Sequence, residues 1–189
     1  MPDTEKQFEA DIERYLISKE GGWTKCIDAG YRAGNADGYA LDIATLTGFV
    51  KDTQPKSWAR FKKMNPDNTE HKFYHSFEDA VNNYGMVSVL RHGFKHLGIE
   101  FKVCYFKPES ALNQTAIEHY KQNVCHCIRQ WHYSTENNNS VDLMLAVNGI
   151  PLVAVELKNQ LTGQSTDNAK IQWINDRDAK ENCFKFNHR

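Results

Sequence analysis

Residues 141–159 read VDLMLAVNGIPLVAVELKN, two apolar runs of strand length on either side of Asn148-Gly149. Asn-Gly is a strong hairpin signal, because both residues tolerate the positive φ that a tight turn between twisted strands requires. The stretch therefore predicts a β-hairpin. Its near-continuous apolar character predicts strands covered on both faces of a sheet. Ionisable groups are costly in such strands unless something binds them, yet Asp142, Glu156 and Lys158 all stand here.

Side chains alternate along a strand, so Glu156 and Lys158 share a face with Leu157 opposite. A three-residue loop, Asn148 to Ile150, pairs Val147 with Pro151 and sets Asp142 directly across from Glu156. A two-residue loop sets Asp142 against Val155 instead. Only the three-residue register makes the polar groups converge, and it is the expected one. Two carboxylates at cross-strand distance repel, and Mg²⁺ relieves that repulsion as a hard cation with oxygen ligands, the Leu157 backbone carbonyl being a further candidate. An ion there can polarise a phosphodiester and lower the pKa of a water, with Lys158 placed to stabilise developing charge or orient the attacking water. The plainer alternative is a Glu156–Lys158 salt bridge at a frayed strand end, with Asp142 capping a turn.

A Glu-x-Lys tripeptide alone carries no weight, being expected roughly once per couple of hundred residues from ordinary composition. The chain contains a control, Glu100-Phe101-Lys102, which has no acidic residue on a strand that could pair with it; its nearest upstream acid, Asp79, falls in an expected helix. We read Glu100 and Lys102 as the solvent face of an alternating strand.

Hairpin, acid and Glu-x-Lys together resemble the PD-(D/E)xK nuclease superfamily, and the fuller context resembles the amino-terminal nuclease domain of the type I restriction enzyme R subunit. That context includes FEADIERYL, TGFVKDTQPKSW, VLRHGFKHLGIEF, YFKPESALN, NVCHCIRQWHYS, TGQ and AKIQWINDR, with NGIPLVAVELKN the most specific part. The resemblance implies Asp142, Glu156 and Lys158 as active-site residues, with Asp142, Glu156 and the Leu157 carbonyl as Mg²⁺ ligands. It also points to a first-helix glutamate, Glu9 or Glu13, although a solvated helix face is the favoured reading for both. The family's Gln-x-x-x-Tyr element survives only as Gln172, since Asp176 stands where the tyrosine belongs. Gln172 and Glu9 are thus expected to position DNA.

The resemblance further implies a restriction-endonuclease-like α/β core, a mixed sheet flanked by helices, with residues 1–189 forming one nuclease domain. A core of this kind adds another strand after the last helix, so the sequence predicts a sheet truncated before its last strand or strands, an amino-terminal fragment of a longer R subunit. Full R subunits carry a translocase motor. No Gly-x4-Gly-Lys-Ser/Thr pattern occurs here, so ATP is expected to belong to the absent motor domains. The expected partners are double-stranded DNA and the methyltransferase and specificity subunits, which choose the target. Two other readings stay open: a catalytically silent docking module of the restriction complex, and a DNA-repair nuclease on the same fold.

Composition bounds these readings. A chain of 189 residues suits one α/β domain. Five cysteines, an odd count, without an apolar leader predict free thiols in a reducing cytoplasm, and no run reaches the ~20 apolar residues of a membrane span. A net charge of −1 counts mildly against nucleic-acid binding by the domain as a whole. Local basic groups exist at Lys56, Arg60, Lys62 and Lys63, and at Arg91 with Lys95, so weak DNA affinity is expected unless a larger partner holds the domain on DNA.

Along the chain, Thr4 and Gln7 match a capping box for a helix running to Gly21-Gly22. Residues 30–38, with three glycines, read as a loop. Helices are expected at about 39–52, 55–64 and 76–92, the last capped by Ser76, then a strand at 99–107, a helix near 110–122, a strand at 124–133, the hairpin, and a helix over 166–178. His71 and His75, like His92 and His96, have the i, i+4 spacing of a helical metal pair, but neither has a third ligand in view. Cys125 and Cys127 read as small apolar residues on one strand face.

Overall fold

The computed structural model describes residues 4–110, 112–158, 166–178 and 180–184, apart from a few helical side chains near its ends and at 33 and 35. Helix α1 (Thr4–Leu16) leads to the short strand β1 (Thr24–Lys25). Five helices follow: α2 (Ala29–Ala36), α3 (Ile43–Thr53), α4 (Pro55–Met64), α5 (Thr69–Tyr84) and α6 (Met86–His92). A small hairpin, β2 (Phe94–His96) and β3 (Ile99–Phe101), precedes α7 (Gln114–Lys121). Then come β4 (Cys125–His132), β5 (Ser140–Val147), β6 (Ile150–Val155) and α8 (Thr166–Asp176).

The main sheet has the order β1-β4-β5-β6, with β1 parallel to β4 and the other pairs antiparallel. The expected mixed sheet flanked by helices is therefore present, with four strands among the described residues. Two cores serve it. One lies among α3 to α6 and the β2–β3 hairpin, where the fully buried Phe61, Phe73 and Phe101 meet edge to face and the buried Phe77 meets Phe94 in the same way. The other covers one face of the sheet with Tyr31, Ile128, Trp131, Tyr133, Met144 and Phe184.

Several local expectations change. The 30–38 segment lies largely in α2 rather than a loop, because its side partners α3 and β4 override the poor helix propensity of glycine. The helix expected from residue 39 starts at Ile43, capped by Asp42, whose carboxylate accepts from the Thr45 backbone N–H at 3.1 Å and hydroxyl at 2.7 Å. The 76–92 helix is two: α5 begins at Thr69, leaving Ser76 in its interior, and Gly85 at φ +81° breaks it from α6. The 99–107 strand shrinks to β3, half of a hairpin turned by Leu97-Gly98, both at positive φ. Helix α1 stops at Leu16, well before Gly21.

The 141–159 stretch folds as a hairpin, but by a different turn. Val147 pairs with Ile150, so the loop has two residues, Asn148 at φ +51° and Gly149 at φ +82°, the geometry of a type I′ turn. Ala146 then pairs with Pro151, whereas Leu145 pairs with Val153: a β-bulge spends one extra residue on β6. The bulge restores the offset that the three-residue loop would have given. Pairing continues as Met144 with Ala154 and Leu143 with Val155, which brings Asp142 level with Glu156.

Asn148 anchors this turn to the rest of the fold. Its buried side chain accepts from the Val124 N–H at 2.7 Å and donates to the Val103 carbonyl at 2.8 Å and to Asn123 Oδ1 at 3.0 Å. The Gly149 carbonyl accepts from the Asp42 N–H at 2.9 Å, and a Cβ at Gly149 would collide with the Asp42 backbone. The hairpin is thereby tied to the cap of α3.

Candidate active site

Asp142 lies on β5, Glu156 follows the last residue of β6, and Leu157 and Lys158 continue from it. The two segments are locked together by the Leu157 N–H, which donates to Asp142 Oδ2 at 2.6 Å. Lys158 Nζ stands 3.4 Å from Glu156 Oε1, with side-chain exposures of 15% and 6%. Asp142, Glu156 and Lys158 therefore lie at one end of the hairpin, Glu156 paired with Lys158 and Asp142 bonded to the residue between them.

Glu9 and Glu13 do not form the expected solvated helix face; both are buried. The reason is Arg129 on β4. Its Nε donates to Glu9 Oε1 at 2.7 Å and its Nη1 lies 3.4 Å from Glu13 Oε2, while Lys25 approaches Glu13 from β1. The hydrogen bond to Glu9 raises the Arg129 pKa above the ordinary arginine value, so this guanidinium is a fixed charge holding α1 against the sheet. Phe8 and Tyr15 of α1 are instead exposed, while Ile12 and Leu16 are half-buried.

Gln130 joins Glu9 to the site. Its Nε2 donates to Glu9 Oε2 at 3.0 Å and lies 3.4 Å from Asp142 Oδ1, and its Oε1 accepts from Ser140 at 3.1 Å. Gln130 sits in β4 at φ +48°, opposite Asp142, between the Arg129–Leu143 and Trp131–Val141 pairs. A left-handed conformation costs a non-glycine residue roughly 1–2 kcal/mol and such strain collects at functional sites. We therefore expect Gln130→Ala to cost about 1–2 kcal/mol, losing the hydrogen bonds and keeping the strain, and Gln130→Gly to lie within about 1 kcal/mol of wild type because strain is relieved. Urea unfolding of the two variants distinguishes them; equal losses would show that the strain carries no energy.

Arg177, directly after α8, completes the site from an unexpected direction. Its Nη2 lies 2.8 Å from Glu156 Oε2, both side chains being 6% exposed. Gln172 lies on α8, its side chain outside the described positions, as are residues 159–165 with Asn159 and the TGQ segment.

The donor set suits Mg²⁺. It is all oxygen, from Asp142, Glu156 and the Leu157 carbonyl, and Mg²⁺ is commonly held by one or two carboxylates with waters filling its shell. Among the described residues no cluster of three or more His, Cys, Asp or Glu side chains could hold a metal. His71 and His75 instead meet each other, Nε2 to Nε2 at 3.2 Å, and His96 lies on β2 rather than on the helix of His92, bonded to Ser76 at 2.8 Å. Burial raises the pKa of Cys26, Cys125 and Cys127 and pushes Cys104 up to about 11, so these thiols are poor nucleophiles. A cleft of about 930 Å³ between α5 and the β2–β3 hairpin contains none of the carboxylates of β5 and β6.

Fold and site thus define a mixed α/β domain with a two-carboxylate, lysine and arginine cluster at the end of the β5–β6 hairpin. The model of the family Type I restriction enzyme R protein N terminus matches residues 28–188, and the chain belongs to that family. No curated protein and no solved structure matches it significantly. Family membership sets the chain in a restriction-endonuclease context. No helix among the described residues is long and apolar enough to cross a membrane.

Proposed function

We propose that this chain is the Mg²⁺-dependent endonuclease domain of a type I restriction R subunit, of the PD-(D/E)xK kind, cutting double-stranded DNA without reading sequence itself. The observation that carries the reading is the bulged register of β5 and β6, which sets Asp142 level with Glu156 and bonds it to the Leu157 N–H. Asp142 and Glu156, with the Leu157 carbonyl, would hold the ion. Bound there, Mg²⁺ supplies Lewis-acid polarisation of a phosphodiester and a water acidic enough to attack it. Lys158, on the same strand end, orients that water or balances the charge that grows on the phosphate oxygens. Gln130 and Glu9 keep the Asp142 carboxylate turned into the site. Target choice would fall to methyltransferase and specificity partners, and ATP to motor domains of a longer subunit.

One observation favours the silent docking module. Glu156 is already paired with Lys158 and Arg177, and Asp142 already accepts a backbone N–H, so both carboxylates have structural partners. Lys158→Gln separates the readings. In the assembled restriction enzyme it is expected to slow DNA cleavage by about a hundredfold or more while ATP hydrolysis and Mn²⁺ binding by the chain persist. Undiminished cleavage would favour the docking module.

A further inference from the structure

Glu156 meets two cations, and only one of them belongs to the Glu-x-Lys pattern. Arg177 reaches it from the far end of α8, and its guanidinium is built into an aromatic slot. Nη1 donates to the Tyr133 hydroxyl at 2.8 Å, and the guanidinium carbon lies 5.1 Å from the Tyr133 ring centre and 5.4 Å from that of Trp173. Phe184 packs against both rings. Arginine cannot lose its proton at any physiological pH, and its planar fork suits both the carboxylate and the rings. A permanent positive charge is therefore seated on a buried carboxylate that a divalent ion would need.

We propose that Arg177 is the counter-ion of Glu156 when metal is absent and competes with the divalent ion for that carboxylate, so that metal binding displaces the guanidinium. The inference rests on the metal reading above. Glu156 Oε2 is committed to Arg177, and Oε1 faces Lys158 at 3.4 Å. An ion drawing on Glu156 must push against a charge already in place. Arg177 is the partner suited to yield: Lys158 sits beside Glu156 on the same strand end, whereas Arg177 comes from another element, and its buried Nε has no hydrogen-bond partner among the described residues. Once displaced, the guanidinium keeps an aromatic slot to rest in. Binding of the first ion is then weaker than two carboxylates alone would give, and Glu156 is never left without a counter-ion.

The test uses Mn²⁺ as the probe, with free ion measured by electron paramagnetic resonance in titrations of the 189-residue chain. Arg177→Gln is expected to bind Mn²⁺ at least about tenfold more tightly, because a unit positive charge near a divalent ion is removed. Arg177→Lys, which keeps the charge, should stay within about threefold of wild type. Unchanged or weaker binding by Arg177→Gln would overturn the proposal and make Arg177 a brace. Asp142→Asn tells the two failures apart: Mn²⁺ bound equally by wild type and Asp142→Asn would overturn the metal reading itself. Should Arg177→Gln fail to fold, the wild-type chain still answers. The Arg177 Nε–H resonance is expected to shift as Mg²⁺ saturates the site, and a resonance that does not move would overturn the proposal.

Discussion

Glu156→Gln is expected to reduce DNA cleavage by the assembled restriction enzyme at least about a thousandfold, and also to lower the stability of the chain. The first effect follows from the proposed role: an amide is a poor Mg²⁺ ligand, and losing an electrostatic contact to the reacting phosphate costs several kcal/mol of barrier. The second follows from Arg177, which is left buried beside a neutral group. Breaking a buried ion pair by removing one partner typically costs about 3–5 kcal/mol; a glutamine that still accepts the hydrogen bond should hold the loss to about 1–3 kcal/mol, and Glu156→Ala should approach the full penalty. Thermal unfolding of the two variants beside wild type measures this. Equal stability for all three would mean that the Arg177–Glu156 pair is not formed in solution. A loss of cleavage by Glu156→Ala alone therefore cannot distinguish a missing catalyst from a damaged fold.

Asn148→Ala should produce the largest loss of stability of any single change in the hairpin, about 3–5 kcal/mol. It strands the half-buried Val124 N–H and the buried Val103 carbonyl, each costing about 1–3 kcal/mol unsatisfied, and places alanine at φ +51°. That is a large share of the 5–15 kcal/mol by which domains are stable. Asn148→Gly relieves the backbone but not the hydrogen bonds, so it should fall between wild type and alanine. Gly149→Ala should also be severe, since both φ and the Asp42 backbone oppose a Cβ. Chemical unfolding gives the order; an Asn148→Ala chain as stable as wild type would mean that the turn is not held as described.

The hairpin was legible because its signal is local. Asn148-Gly149 fixes a turn, and the apolar runs fix strands that bring Asp142 and Glu156 to the same end. The bulge left one trace that could have been read: Pro151, which has no N–H to give, is tolerated in edge strands and at bulges, and here it is both on the edge strand and beside the irregularity. The buried faces of α1 were not legible. Phe8, Ile12 and Tyr15 have the spacing of a core stripe, whereas the inward face is set by Arg129, more than a hundred residues away, and no local periodicity records such a partner. Gln130 was equally hidden, because nothing in the sequence of β4 marks a left-handed φ there. Arg177 has no sequence pattern at all; it matters because α8 returns over the end of β6. The division of 76–92 could have been found at Gly85, the residue type that takes a positive φ freely and so ends one helix and starts the next.

Asp142→Asn in the proposed longer R subunit, assembled with the methyltransferase and specificity partners proposed for it, is the most direct test of a metal-dependent nuclease on this hairpin. Asparagine can still accept the Leu157 N–H, and Asp142 has no buried cation to strand, so the fold should be undisturbed. Plasmid cleavage and ATP hydrolysis are measured together, because ATP turnover itself uses Mg²⁺ and reports on the rest of the enzyme. The account predicts cleavage lost with ATP hydrolysis retained; cleavage at the wild-type rate would contradict it and place the active site elsewhere.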